Sequence, residues 1–146
     1  MWYSYRSVPG CLELPPAPIL PATLINPKQS DDRLYELDAF LATGADVTLI
    51  PLEAVSILRL PLLEGRISVV GVGGAVTTGF PCQIDFQIGK MHLPLLDVVG
   101  CTAMSIGKPK QMIVGRDILN QFCITFDGKQ RRFSFDADIS KDYGNY

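Results

Sequence analysis

The 146-residue chain has no excess of basic charge, no long apolar run and only one histidine. Its 13 Lys and Arg are offset by 15 Asp and Glu, which leaves no basic field for a nucleic acid. No run approaches the about 18 apolar residues that span a bilayer, and the opening MWYSYRSVPG lacks the apolar core of a secretion signal. We therefore expect a soluble, cytoplasmic protein that binds no nucleic acid and has no membrane segment in this chain. A membrane tether in a longer parent is compatible with the sequence.

Cysteine pairs with metal-binding spacing are also missing. The four cysteines lie far apart in the sequence, and none forms a Cys-x-x-Cys pair. We expect reduced thiols that pack as small apolar groups, with no metal site and no cofactor. A Ser-His or Cys-His catalytic pair would depend on His92, which lies in the apparent strand MHLPLL, so we do not expect one.

Proline is concentrated at the start of the chain. Five of the eleven prolines fall within residues 1–21, where missing amide donors and fixed φ angles disfavour both helix and central strand. We predict an extended Pro-rich arm over residues 1–21, a globular domain over residues 22–136 and a polar tail over residues 137–146.

Short runs rich in Val, Ile, Leu, Thr and Phe follow the arm, and turn-forming residues separate them, which is typical of many short strands. Apolar and polar residues alternate on both sides of Gly89-Lys90, and again around Asp127-Gly128, so each pattern predicts a hairpin. The stretch RISVVGVGGAVTTGF predicts a third, long hairpin with a glycine-rich tip.

Helix is predicted at only two places. PLEAVSILRL begins with Pro51, which suits a helix start, and Pro61 limits its end. GRDILNQF begins with Gly115, where Asp117 lies at the positive end of the helix dipole. The fold class is therefore predicted to be all-β with one or two short helices.

Three motifs occur in order along this chain: FLATGADVTLIP at 40–51, VVGVGGAV at 69–76 and MIVGRDIL at 112–119. Their order and spacing resemble those of retropepsins, the retroviral-type aspartic proteases, and more narrowly the bacterial, clan AA type. The resemblance covers roughly residues 22 to 136. In that family the first motif contains Asp-Thr-Gly-Ala, the second is a flap over the substrate and the third precedes a short helix. Ala42 stands where the family has its catalytic Asp.

The resemblance implies a closed β-barrel with a flap hairpin, acting as a homodimer. Retropepsins hydrolyse peptide bonds with a water held between two Asp carboxylates, which share one proton and act as base and acid. This chain has one such turn, so it would supply half of the site and a copy related by a two-fold axis the other half.

The resemblance also implies roles for individual residues. Thr43 would reach across the two-fold axis, Gly44 would let the backbone approach substrate closely, and Asp46 would form a buried, bidentate ion pair with Arg116. The site residues are Ala42, Thr43 and Gly44 at the catalytic turn, Ala45, Asp46 and Arg116 as its support, and Val70, Gly71, Val72, Gly73 and Gly74 in the flap. Apolar residues that either line substrate pockets or pack in the core are Ile50, Val69, Val70, Val72 and Val114.

We expect Ala42 to make this polypeptide inactive as an aspartic protease, because a methyl group does no acid–base chemistry. Asp38 and Asp46 each lie four residues away and are not expected to replace the missing carboxylate. Ala42 is either an engineered change or a natural loss that left a peptide-binding or dimerisation module; the retained neighbours of the turn favour engineering. The expected substrate is a peptide or protein, with the chain's own N-terminal arm among the candidates.

Overall fold

Strands dominate the described parts of the chain, which in this computed structural model are residues 1–8, 14–28, 33–71, 74–102 and 110–136. The predicted all-β class is confirmed, with two short helices. The strands are β1 (Trp2–Ser4), β2 (Ile19–Ile25), β3 (Leu34–Leu41), β4 (Leu49–Pro51), β5 (Ile67–Val70), β6 (Val76–Ile88), β7 (Met91–Cys101), β8 (Gln111–Val114), β9 (Cys123–Asp127) and β10 (Arg132–Asp136). The helices are α1 (Leu52–Leu58) and α2 (Arg116–Leu119).

Six of these strands close into a barrel. The order β2-β3-β8-β4-β7-β6 returns to its start because β2 also pairs with β6, from Ala22 opposite Ile88 to Ile25 opposite Asp85. Two of the pairings are parallel: β3 with β8, and β4 with β7. Both parallel pairs join strands far apart in sequence, and they bring the end of β3 beside the end of β8.

The barrel interior follows from the alternation of side chains along its strands. In β3 every second residue is buried, from Tyr35 to Leu41, while the residues between them are exposed or half-buried. The same alternation runs along β6, where Cys82, Ile84 and Phe86 are fully buried. These side chains form one core with α1 and α2 packed against it.

All three hairpins predicted from the sequence are present. In the first, Ile88 pairs with Met91 across Gly89-Lys90, and Gly89 has a φ of 56°, a left-handed value that favours glycine. In the second, Asp127 pairs with Arg132, so the loop holds four residues, 128–131, rather than a tight two-residue turn. The third joins β5 to β6, with Val70 opposite Val76.

The helices begin where the sequence placed them. Pro51 precedes the first residue of α1, and the helix ends at Leu58, followed by Arg59, whose φ of 51° is left-handed, two residues before Pro61. Asn26 fixes this end, because its side-chain amide donates to the carbonyl oxygens of Leu58 and Arg59 at 2.9 and 2.8 Å. Gly115 precedes α2, which has only four residues.

A second sheet of three strands has the order β1-β10-β9. Its aromatic side chains pack together: Tyr3 lies 5.5 Å from Phe133 and 5.7 Å from Phe135, centroid to centroid. Two parts of the predicted arm therefore lie in strands, residues 2–4 in β1 and residues 19–21 in β2. The local proline content did not indicate this, because strand pairing with distant residues decides it.

The cysteines are only partly as expected. Cys82 and Cys101 are free, buried thiols whose pKa burial raises to about 11. Cys123 is free but exposed on β9, which corrects the expectation that it packs as a small apolar group. Cys11 lies outside the described residues. Among the helices described, none is long and apolar enough to cross a membrane.

Candidate active site

The turn after β3 begins at Ala42 and leads through Thr43, Gly44 and Asp46 into β4. Ala42 is half-buried, and the two residues after it are exposed at the surface of the protomer. The Ala45 amide donates to the Ala42 carbonyl at 3.1 Å, which closes the turn. Residue 42 therefore lies next to an exposed Thr43-Gly44 segment.

Hydrogen bonds from the β8–α2 connection hold this turn. The Ala42 amide donates to the Val114 carbonyl at 3.0 Å, and the Arg116 amide donates to the Ala45 carbonyl at 2.9 Å. A guanidinium nitrogen of Arg116 donates to the Thr43 carbonyl at 2.8 Å. Two segments more than 70 residues apart are thus fastened along both sides of the turn.

Thr48 is the buried centre of this connection. Its side chain is fully buried, and its Oγ1 donates to Asp117 Oδ1 at 2.8 Å while accepting from the Gly115 amide at 3.0 Å. The Thr48 amide donates to Asp117 Oδ2 at 3.0 Å. Sequence analysis missed Thr48 and assigned Asp117 only to the helix dipole, because no local pattern indicates a partner 69 residues away.

Gly115 is required by space rather than by its φ of −91°. A Cβ at this position would lie 2.6 Å from both the carbonyl carbon and the oxygen of Val47, and 3.0 Å from the Ala45 oxygen. The backbone of the turn and the start of α2 therefore touch directly, and only glycine permits that approach. Gly44 differs, since a Cβ there would meet no described atom within 4 Å.

Asp46 and Arg116 do form an ion pair, but its predicted geometry is wrong. Arg116 Nη2 contacts Asp46 Oδ1, while Nη1 bonds the Thr43 carbonyl, so the guanidinium bridges two residues instead of gripping one carboxylate. In the protomer the Asp46 side chain is 83% exposed and that of Arg116 is 43% exposed. The ion pair therefore lies at the surface of the protomer and is not buried.

The nearby carboxylates have other partners. Asp38 lies on β3 and pairs with Arg6 at 3.0 Å, and Asp46 pairs with Arg116. His92 is exposed on β7 opposite Gln87, seven residues before the point where β7 meets β4. Asp46 is itself part of the turn at residue 42, whereas the side chain of Asp38 is held by Arg6, away from the turn.

The predicted flap residues that the structure describes are Val70, Gly71 and Gly74, which lie at the connection between β5 and β6. The Gly71 amide donates to the Ala75 carbonyl at 2.8 Å, and the Gly74 amide donates to the Gly71 carbonyl at 3.1 Å. Gly74 has a φ of 84°, which a side chain would disfavour. Val70 is 66% exposed. The predicted flap residues Val72 and Gly73 lie outside the described residues.

The apolar residues suggested as pocket walls divide into two groups. Ile50 and Val114 are fully buried in the main core, so they are packing residues in this protomer. Val69, in β5, instead belongs to a small separate cluster with residues near the turn. The members of this cluster are buried Leu49, Val99 and Cys101 and half-buried Val47, Val69 and Ile113. Sequence analysis missed Val47 and Ile113, because only the fold brings them together.

No group of three or more His, Cys, Asp or Glu able to hold a metal occurs within the described ranges. A surface depression of about 530 Å³ does occur elsewhere, between β2, β3 and the β6–β7 turn, and its lining includes Glu36, Asp38 and Lys110. It contains no residue of the turn at residue 42.

Among the solved structures that are similar to this chain are a protease and a retroviral protease-like domain. One is EIAV protease complexed with the inhibitor HBY-793, at 25% identity and a TM-score of 0.49, covering 77% of this chain and 92% of that one. The other is the retroviral protease-like domain of Ddi1 from Leishmania major, at 18% identity and a TM-score of 0.45, covering 81% and 88%. No family model and no curated protein matches the chain. Both TM-scores are below 0.5, so the candidate site is defined by the geometry of this chain alone.

Proposed function

We propose that the fold is built for a homodimeric aspartic endopeptidase of retropepsin type, and that this polypeptide is its inactive form because Ala42 replaces the catalytic Asp. The active counterpart hydrolyses peptide bonds with a water held between two Asp residues, one from each subunit. No metal and no cofactor take part.

The proposal depends on one observation. The turn at residue 42 is held in place by several hydrogen bonds, although its first residue, Ala42, has no functional group. Ala42, Thr43 and Ala45 are each bonded through the backbone to the β8–α2 connection, and the buried Thr48 fixes the end of the same turn. A methyl group requires no such positioning, whereas a catalytic carboxylate does, since small displacements cost large factors in rate.

The chemistry explains why one turn is half of a site. A water that attacks a peptide carbonyl needs a base to take its proton and an acid to protonate the carbonyl oxygen. Two carboxylates about 3 Å apart supply both, because like charges so close do not ionise together and one proton is shared. A second copy related by a two-fold axis supplies the second turn.

The surface near the turn fits an extended peptide with apolar side chains. Half-buried Val47, Val69 and Ile113 lie together there, and the β5–β6 hairpin supplies backbone donors and acceptors for a strand-like substrate. Exposed Gly44 leaves room for a close approach of that backbone.

Ala42→Asp tests the function directly, and Ala42→Asn is the matched control because it has the same shape without an ionisable carboxyl group. We expect Ala42→Asp to cleave apolar-flanked peptides from a library at mildly acid pH, with inhibition by a statine-type mimic. Ala42→Asn and the parent chain are expected to show no cleavage. Equal cleavage by all three, or none by Ala42→Asp in its dimeric form, would contradict the proposal.

A second candidate is a natural pseudoprotease that binds peptides or serves in dimerisation. Ala42 itself favours this reading, since the chain has no carboxylate at the position of the catalytic Asp. The retained Arg116 brace and Thr43-Gly44 edge instead favour an engineered change in an active enzyme. Tight peptide binding by the parent chain, combined with no turnover by Ala42→Asp, would support the binding module.

A further inference from the structure

The outer wall of the barrel carries the depression of about 530 Å³ between β2, β3 and the β6–β7 turn. Thr23 of β2 lies opposite Glu36 of β3 on one side and opposite Gln87 of β6 on the other. Pro21 of β2 lies opposite Asp38 of β3. Opposite residues of paired strands point to the same face, so Glu36, Thr23 and Gln87 form one row across three strands, at steps of about 5 Å. All five residues line the depression, whose volume is in the range of sites for small ligands.

The protomer does not use the polar side chains of this row. Glu36 and Gln87 are exposed and Thr23 is half-buried. None of the three side chains has a hydrogen bond or an ion pair to another residue that the structure describes. They offer a carboxylate, a hydroxyl oxygen and an amide oxygen, all of which accept hydrogen bonds. A ligand with several N–H donors would therefore meet three acceptors side by side.

Arg6 shows which group this wall binds within the chain. Its Nη1 contacts Asp38 Oδ1 at 3.0 Å, and 45% of the Arg6 side chain and 28% of the Asp38 side chain are exposed. Asp38 and Glu36 point to the same face of β3, two residues apart, which separates their Cα atoms by about 6–7 Å. One of the two carboxylates on this face therefore already binds a guanidinium group, and its neighbour is open.

The remaining charged residue of the lining is Lys110. Its ammonium nitrogen lies 5.4 Å from the ring centroid of Tyr35, a buried residue that alternates with Glu36 and points to the inner face of β3. Glu36 thus has the only charged side chain of the lining that lacks a partner among the described residues. The charge that a ligand meets in the depression is therefore negative.

We propose that this depression binds a guanidinium group, carried either by a small molecule or by an arginine side chain of a peptide. The guanidinium donates to the Glu36 carboxylate and, with its other N–H groups, to Thr23 Oγ1 and the Gln87 amide oxygen. Its planar set of five donors suits three acceptors in a row better than a compact ammonium group does. Pro21 supplies an apolar floor for the methylene stem.

Nuclear magnetic resonance of the ¹⁵N-labelled parent chain tests the site. The probe is Nα-acetyl-arginine amide, and the matched control is Nα-acetyl-citrulline amide, which has nearly the same shape without the positive charge. We expect saturable shifts of the backbone amide signals of Thr23, Gln87 and Gly89 with the arginine probe. The citrulline probe is expected to leave these signals in place.

Glu36→Gln tests the role assigned to the carboxylate. We expect the dissociation constant of the arginine probe to rise about tenfold or more, because a charge-assisted hydrogen bond is replaced by a neutral one. Glu64→Gln is the matched control, since Glu64 is also exposed but does not line the depression, and it should leave the constant unchanged. Circular dichroism of both variants verifies that the fold is retained.

The outcomes decide the proposal and the source of the group. Equal shifts with the citrulline probe, or unaltered binding in Glu36→Gln, would overturn the guanidinium site. With the site established, a blocked Ala-Arg-Ala peptide that binds about tenfold more tightly than the single residue would identify a peptide as the ligand, and equal binding would identify a small molecule. The depression contains no residue of the turn at residue 42, so these results are independent of whether Ala42→Asp cleaves peptides.

Discussion

Residue 115 shows how a single missing Cβ permits the candidate site to form. We expect Gly115→Ala to destabilise the protein by about 1–3 kcal/mol, because the new methyl carbon would overlap the Val47 carbonyl and push the turn away from α2. Urea unfolding of the parent and the variant measures this difference in free energy.

Gly128→Ala is the control for that measurement. Gly128 lies in the β9–β10 loop, and a Cβ there would meet nothing within 4 Å. Its free energy of unfolding should stay within about 0.5 kcal/mol of the parent, as is usual for open surface positions. A Gly115→Ala protein as stable as Gly128→Ala would show that the two backbone segments are not in close contact.

The sequence located the residues of the turn but not what holds them. Ala42, Asp46 and Arg116 were recognisable because they stand in compact motifs. The bonds from Thr48 to Asp117 and Gly115 depend on how β4 and α2 meet in space, and neither residue has a local signal for it. The exposed geometry of the Asp46–Arg116 pair could not be predicted either, since burial depends on the whole protomer.

Tyr35 connects two elements, strand β3 and helix α1. Its hydroxyl donates to Glu53 Oε2 at 3.0 Å, and burial together with this carboxylate raises the pKa of Tyr35 to about 12. The native state therefore holds this proton more tightly than the unfolded chain, whose tyrosine has a pKa near 10. The resulting stability is complete below pH 10 and is lost as the pH rises towards 12.

Tyr35→Phe removes the titrating group and tests this dependence. We expect the free energy of unfolding of the parent to fall more steeply between pH 10 and 12 than that of Tyr35→Phe, as measured in urea at each pH. All residues other than residue 35 are the same in the two proteins, so their contributions cancel in the comparison. Parallel curves for the two proteins would mean that the pKa of Tyr35 is the same in the folded state as in the unfolded chain.

Local elements were predicted well, and distant pairings were not. The three hairpins and both helix starts follow from turn residues and alternation over a few positions. The parallel pairs β3–β8 and β4–β7 close the barrel, but they join segments that are distant in the sequence. No local sequence pattern indicates which of these strands pair. The same reason explains why residues 2–4 and 19–21 were assigned to an arm although they lie in strands.

At the scale of the whole molecule, the protomer has a closed core and a candidate site at its surface. The barrel closes on itself, whereas the Thr43-Gly44 segment of the turn at residue 42 and the described residues of the β5–β6 connection are exposed. Stability and the proposed activity are therefore expected to separate: Ala42→Asp should leave the barrel intact, as circular dichroism would verify.

Strand β6 has a different number of neighbours along its length. Residues 76–79 pair only with β5, residues 80–88 pair with β7, and residues 85–88 pair on the other side with β2 as well. Amide hydrogen exchange should therefore be fast near Thr77 and slow near Phe86, because opening the second region requires opening the barrel. Uniform protection along β6, measured by NMR, would contradict this.

Gly79 lies where β6 passes from one neighbour to the other, since it pairs with Ile67 and the next residue, Phe80, pairs with Gly100. The hairpin and the barrel thus share one continuous strand with a glycine at the junction. A Cβ at Gly79 would lie 2.4 Å from a methyl carbon of Val99 and 3.0 Å from one of Val69, so only glycine lets the base of the hairpin pack this closely against the barrel.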